Sequence, residues 1–145
     1  MGNIKQLQKY IDKIYRHPRV QDYLYSSCQG LTLALDGDPP TVWVSDTCGV
    51  RTAGQIWCNY DRIDIELSSW ILVDEKQTQG ILRHELAHAI VFLCEFGGSS
   101  HGREFTQALK VTSPRLFRRD RYWHDTPAVY RERKKYHPKT KFRQA

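Results

Sequence analysis

Between Asp74 and Gly97-Gly98, the residues Ile81, Leu82, Leu86, Ala89, Ile90 and Leu93 recur at three- and four-residue steps. That spacing puts them on one side of a long helix over about residues 75 to 96, with Asp74 as its N-cap and the glycine pair as its stop. A helix this apolar must be buried. Yet it carries His84, Glu85 and His88 in its middle, and polar groups are costly to bury unless they bind something.

On a helix, residues four apart share a face, so His84 and His88 can bind one metal ion. Imidazole nitrogens suit Zn²⁺, and a helix supplies two of them without ordering a loop. Glu85, beside the first histidine, is placed to reach a metal-bound water rather than the metal. Zinc lowers the pKa of that water, and a carboxylate can take its proton and pass it to a leaving amine. A His-Glu-x-x-His pattern arises by accident about once in a hundred chains of this length, so the motif alone is moderately specific. His101 raises its weight. It lies thirteen residues past His88, after a Gly97-Gly98 turn able to fold the chain back. A catalytic zinc site keeps three protein ligands and one open position. Read singly, each histidine is better explained as an ordinary polar residue; read together, with Glu85 in place, they point to a metal centre.

The remaining pattern is mixed. Ile4, Leu7, Ile11 and Ile14 form one face of an N-terminal helix that His17-Pro18 ends. After a less regular stretch in which Val20, Tyr23 and Leu24 could add a turn, LTLAL at 31–35 and TVWVS at 41–45 read as strands around an Asp-Gly-Asp-Pro-Pro turn. QIWCN and RIDIEL, flanking Tyr60-Asp61, read as a second antiparallel pair. A shorter helix is expected from Arg103 to Val111, and another from Ala128 to Tyr136, with the last residues frayed.

The chain has 145 residues, within the single-domain range, and no apolar run long enough to cross a membrane. Its start lacks a secretory signal, and Gln6 stands where a myristoylation signal needs Ser or Thr, so a cytoplasmic setting is expected, with a place at the nucleoid or nucleus left open. Cys28, Cys48, Cys58 and Cys94 form no Cys-x-x-Cys pair, so reduced thiols are expected and a cysteine zinc site is not. Charge is divided unevenly. Residues 1 to 101 carry nine Lys and Arg against twelve Asp and Glu, and residues 102 to 145 carry thirteen against four, which gives −3 and +9. A basic end meets something anionic, of which nucleic acid is the commonest, or else serves as a solvated tail.

At His84-Glu85-Leu86-Ala87-His88 followed by His101-Gly102-Arg103-Glu104-Phe105, the sequence resembles the SprT-like metallopeptidase family, which includes the Spartan proteases. Thr52-Ala53-Gly54 and Ile63-Asp64-Ile65-Glu66-Leu67-Ser68 resemble the stretch in which a small-residue turn leads into the strands before the active-site helix. The resemblance implies an α+β, zincin-like fold: an N-terminal helix, a small antiparallel sheet, the metal-binding helix and short C-terminal helices. It implies a metallopeptidase core over 1–112, with 113–145 as a basic C-terminal extension. It also implies His84, His88 and His101 as zinc ligands, Glu85 as general base, and Phe105 as an anchor for the helix after the third ligand.

Spartan-type members act on proteins crosslinked to DNA, so the resemblance further implies a DNA-associated endopeptidase acting on unfolded or crosslinked proteins. This chain departs from many of them in having no cysteine after Cys94, hence no cysteine zinc ribbon. The basic residues between 115 and 143 are the substitute, with Phe117, Tyr122 and Trp123 available for stacking on bases or for finishing the core. Two alternatives stay open. One is a zinc-dependent ribonuclease, against which the histidine spacing and Glu85 count; the other is a noncatalytic zinc-stabilised DNA-binding module, which would gain nothing from Glu85. Tyr122 and His124 are both candidates for stabilising an oxyanion, and the sequence places neither at the metal.

Overall fold

A computed structural model describes residues 3–28, 37–46, 52–59, 62–94 and 101–144. Two N-terminal helices come first, α1 (Ile4–Tyr15) and α2 (Pro18–Cys28). Asn3 caps α1 by accepting from the Gln6 amide at 2.9 Å. Leu7 and Ile11 of α1, and Val20 and Leu24 of α2, are fully buried. The expected extra turn is thus a whole helix, begun by Pro18 at the first helical position, where a missing N–H costs nothing.

Three strands follow: β1 (Thr41–Ser45), β2 (Gly54–Cys58) and β3 (Ile63–Ser68), in the order β1-β3-β2. β2 and β3 are the expected antiparallel pair, with Ile56 opposite Ile65. β1 runs parallel to β3, with Val42 opposite Ile65. The sheet is therefore mixed, where a wholly antiparallel one was expected. Alternating apolar residues say which face of a strand is buried but not which neighbour it takes, and β1 fills the open edge of β3. The LTLAL segment expected to pair with β1 lies outside the described residues.

A 3₁₀ turn (Ser69–Val73) leads to α3 (Glu75–Leu93), whose N-cap Asp74 accepts from the Gln77 amide at 3.0 Å. α3 crosses β2 and β3, and α4 (Arg103–Thr112) packs against it. Ile81, Leu82, Leu86, Ala89, Ile90 and Leu93 are all buried, as the spacing predicts, but so are Arg83, His84 and Glu85. The Gly97-Gly98 stop lies outside the described residues.

α5 (Phe117–Asp120) and α6 (Pro127–Tyr136) complete the fold. Trp123 is only 8 % exposed, with its ring 5.0 Å from that of Trp70 and the Arg143 guanidinium 4.3 Å above it. It finishes the core and offers no free face for a base. The end of the chain does not fray: the Asp125 amide donates to the Arg143 carbonyl at 2.8 Å, and Asp125 also pairs with buried Arg133. These partners close residues 125–143 on themselves, and α6 packs against the 3₁₀ turn Ser69–Val73.

One further expectation changes. Cys94 is disulfide-bonded, where a reduced thiol was expected, whereas Cys58 is a free thiol as expected. Sequence spacing carries no information on which cysteines meet through space. No helix among the described residues is long and apolar enough to cross a membrane.

Candidate metal centre

α3 supplies His84 and His88, and His101 enters from the residue before Gly102, the N-cap of α4. The fold brings all three together: one ligand atom from each lies within 4.8 Å of the others. The Nε2 atoms of His88 and His101 stand 3.1 and 3.2 Å from Nε2 of His84. Two nitrogens bound tetrahedrally to one zinc at about 2.0–2.1 Å would be about 3.3 Å apart, so both separations from His84 match those of ligands sharing one ion.

The tautomer of His84 follows from its other contact. Its Nδ1 lies 2.8 Å from the Asp120 carbonyl oxygen, which can only accept, so Nδ1 carries the proton and Nε2 presents its lone pair to the cluster. This is the orienting partner that ligating histidines ordinarily have. Burial pushes the His84 imidazole down to about 4 and that of His88 down to about 3. His101 is also lowered, by burial and then by the Arg121 charge. Neutral imidazole is the form that binds a metal.

Phe105 is the floor of the cluster. It is buried, and its ring centroid lies 4.8, 4.4 and 4.9 Å from those of His84, His88 and His101. The phenyl ring that anchors α4 thereby also packs beneath every imidazole.

Glu85 is 6 % exposed and lines the same cleft as the three histidines, a space of about 570 Å³. Burial alone pushes its carboxyl up to about 8. A cation at the imidazoles would favour the ionised form again. Gly54, at the start of β2, is what allows this packing, since a Cβ there would lie 2.7 Å from Ile81 Cγ2 and 3.3 Å from Glu85 Cγ. The Thr52-Ala53-Gly54 turn is pinned to the end of β3 by the Ser68 amide, which donates to the Ala53 carbonyl at 2.8 Å.

Two functional neighbours are absent from the sequence reading. Asp120 holds His84 through its carbonyl, and its carboxylate takes Arg83 Nε at 2.7 Å and Ser113 Oγ at 2.7 Å. Arg121 donates from Nη2 to the His101 carbonyl at 2.6 Å and from Nη1 to Thr106 at 2.8 Å. Their one sequence signal is an acid inside the run Arg118-Arg119-Asp120-Arg121. Of the two oxyanion candidates, Tyr122 lines the cleft, whereas His124 lies against Gln77 in another pocket.

Three neutral imidazoles converging beside a buried carboxyl make a metallopeptidase-like domain able to hold one ion. The model of the SprT-like family matches residues 41–119, more than half of the chain. No curated protein and no solved structure matches.

Proposed function

Since this chain belongs to the SprT-like family, we propose that it is a zinc-dependent endopeptidase, with His84, His88 and His101 as ligands and Glu85 as general base. The observation that carries the reading is the convergence of three Nε2 atoms next to a buried glutamate in an open cleft. Bound zinc would supply Lewis-acid polarisation and an acidified water. The chain's own residues do the rest. Glu85 accepts the proton of the attacking water and delivers it to the amine nitrogen as the C–N bond breaks. The Asp120 carbonyl keeps His84 in the ligating tautomer, and the Phe105 ring holds the imidazoles in place.

Its substrates are unfolded or DNA-crosslinked proteins, and the partner that recruits it is nucleic acid. Support for this comes from the C-terminal end, where Arg133, Lys139, Lys141 and Arg143, with Tyr136 and Phe142, line a cavity of about 1150 Å³. Cations interleaved with aromatic faces are what a single strand requires. Trp123 and Arg143 line this cavity and also the metal-site cleft, so a bound strand would lie beside the scissile bond. In domain terms, the peptidase core of residues 1–112 draws Asp120, Arg121 and Tyr122 into its site from the basic extension 113–145, the rest of which recruits the target.

Metal analysis tests the reading first. The purified chain should hold one zinc, and cleavage of an unstructured protein should stop on chelation and return with zinc. A chain that cleaves equally well after chelation contradicts it.

A further inference from the structure

A peptide carbonyl attacked by water gains negative charge on its oxygen, and hydrolases aim a donor at that oxygen in the transition state. Tyr122 is half exposed at 54 % and lines the cleft that holds Glu85 and the three histidines. Its ring meets that of His101 edge-on, with centroids 5.7 Å apart. His124, two residues on, does not line the cleft. It lies 3.1 Å from Gln77 Nε2, in a pocket with Asp74 and Lys76.

Two other donors of the cleft are already engaged. Arg121 is committed to Thr106 and the His101 carbonyl, and Gln55 Nε2 donates to Glu66 at 2.5 Å. Among the described residues the Tyr122 hydroxyl only accepts, from Arg121 Nε at 3.4 Å, so its own proton is available to a substrate. A cation hydrogen-bonded to a phenol oxygen also makes the O–H a stronger donor.

We infer that Tyr122 is a catalytic residue whose hydroxyl donates a hydrogen bond to the carbonyl oxygen of the scissile peptide as the tetrahedral intermediate forms. The water oxygen bonds to the carbonyl carbon, the C=O π pair moves to the oxygen facing Tyr122, and Glu85 takes the water proton. When the C–N bond breaks, the pair returns, the proton passes from Glu85 to the amine, and Tyr122 keeps its own throughout. The inference rests on the endopeptidase reading above.

The test uses the full-length, zinc-loaded chain, an unstructured protein substrate, and the variants Tyr122→Phe, His124→Gln and Glu85→Gln. Tyr122→Phe should lower kcat on the order of 10²-fold with KM and zinc content unchanged. A phosphinic peptide, which mimics the tetrahedral intermediate, should bind it more weakly by the same factor, while a product peptide binds as before. His124→Gln should match wild type. If Tyr122→Phe keeps wild-type kcat while Glu85→Gln is inactive, Tyr122 has no such role and the endopeptidase reading stands. If Tyr122→Phe loses zinc and weakens both peptides equally, its role is structural and the inference is overturned. If all three variants cleave like wild type, the endopeptidase reading itself falls.

Discussion

The Asp120 backbone carbonyl accepts from Nδ1 of His84 across 2.8 Å, although the two residues lie 36 positions apart. The short helix α5 thereby orients the first proposed ligand on α3. It does so because the Asp120 side chain is clamped by Arg83, the residue before His84, and by Ser113. Gly80 makes room: a Cβ there would meet Asp120 Oδ1 at 3.0 Å.

Removing that clamp should be felt twice. Asp120→Ala strands the buried Arg83 guanidinium, which should lower stability to urea by about 3–5 kcal/mol. Zinc affinity should fall about 10–100-fold as His84 loses its fixed orientation. Asp120→Asn, which keeps the shape, should do less on both counts. An Asp120→Ala chain with unchanged zinc affinity would remove α5 from the site.

Gly54→Ala places a methyl group against Ile81 and Glu85. Overpacking of this kind costs about 1–3 kcal/mol, and it displaces the proposed base as well. Denaturant titration should show the stability loss and turnover a fall in kcat. A variant as stable and active as wild type would show that β2 yields freely there.

The metal-free chain should have a stability maximum near neutral pH. His84 and His88 are held at about 4 and 3 in the fold, below their unfolded value of about 6.5. The unfolded chain therefore takes up their protons first, and stability falls as pH drops below about 6.5. Glu85 runs the other way. Its carboxyl is raised to about 8, so the stability of its protonated form is lost as pH rises from about 4.5 to 8. Three lowered imidazoles, His101 being the third, against one raised carboxyl make the acid side the steeper. Thermal melts across pH 4 to 9 check this, and Glu85→Gln should flatten the alkaline side and steepen the acid side above about pH 4.5. A metal-free chain that gains stability on acidification from pH 6 to 4 would contradict it.

Much of this was legible in the sequence because a long helix carries its own periodicity. α3, its Asp74 cap, and the shared face of His84 and His88 follow from spacing alone, and so does the β2–β3 hairpin. The sequence is silent where the information is tertiary. The parallel partner of β1, the disulfide at Cys94 and the reach of Asp120 to His84 depend on segments that meet only after folding. α2 showed only as a turn at Val20, Tyr23 and Leu24 because its apolar residues are few, and Trp123 could be assigned to core or surface only once Trp70 stood beside it.

The basic end makes a prediction about salt. Lys139 and Lys141 are exposed on the wall of the C-terminal cavity, so the double change to Glu should leave stability intact. Affinity for single-stranded DNA should drop, and the slope of log K against log salt should shrink by about 1.4, roughly 0.7 for each lost phosphate contact. An unchanged slope would move the nucleic-acid surface elsewhere or remove it.

The most direct test of the central claim is cleavage of an unstructured protein by the zinc-loaded wild type and by Glu85→Gln, at matched zinc content, with and without single-stranded DNA. The proposed mechanism predicts that the variant keeps its zinc and loses cleavage, because the water has lost its proton acceptor. A variant that holds zinc and still cleaves at the wild-type rate would contradict the assignment of Glu85 as general base.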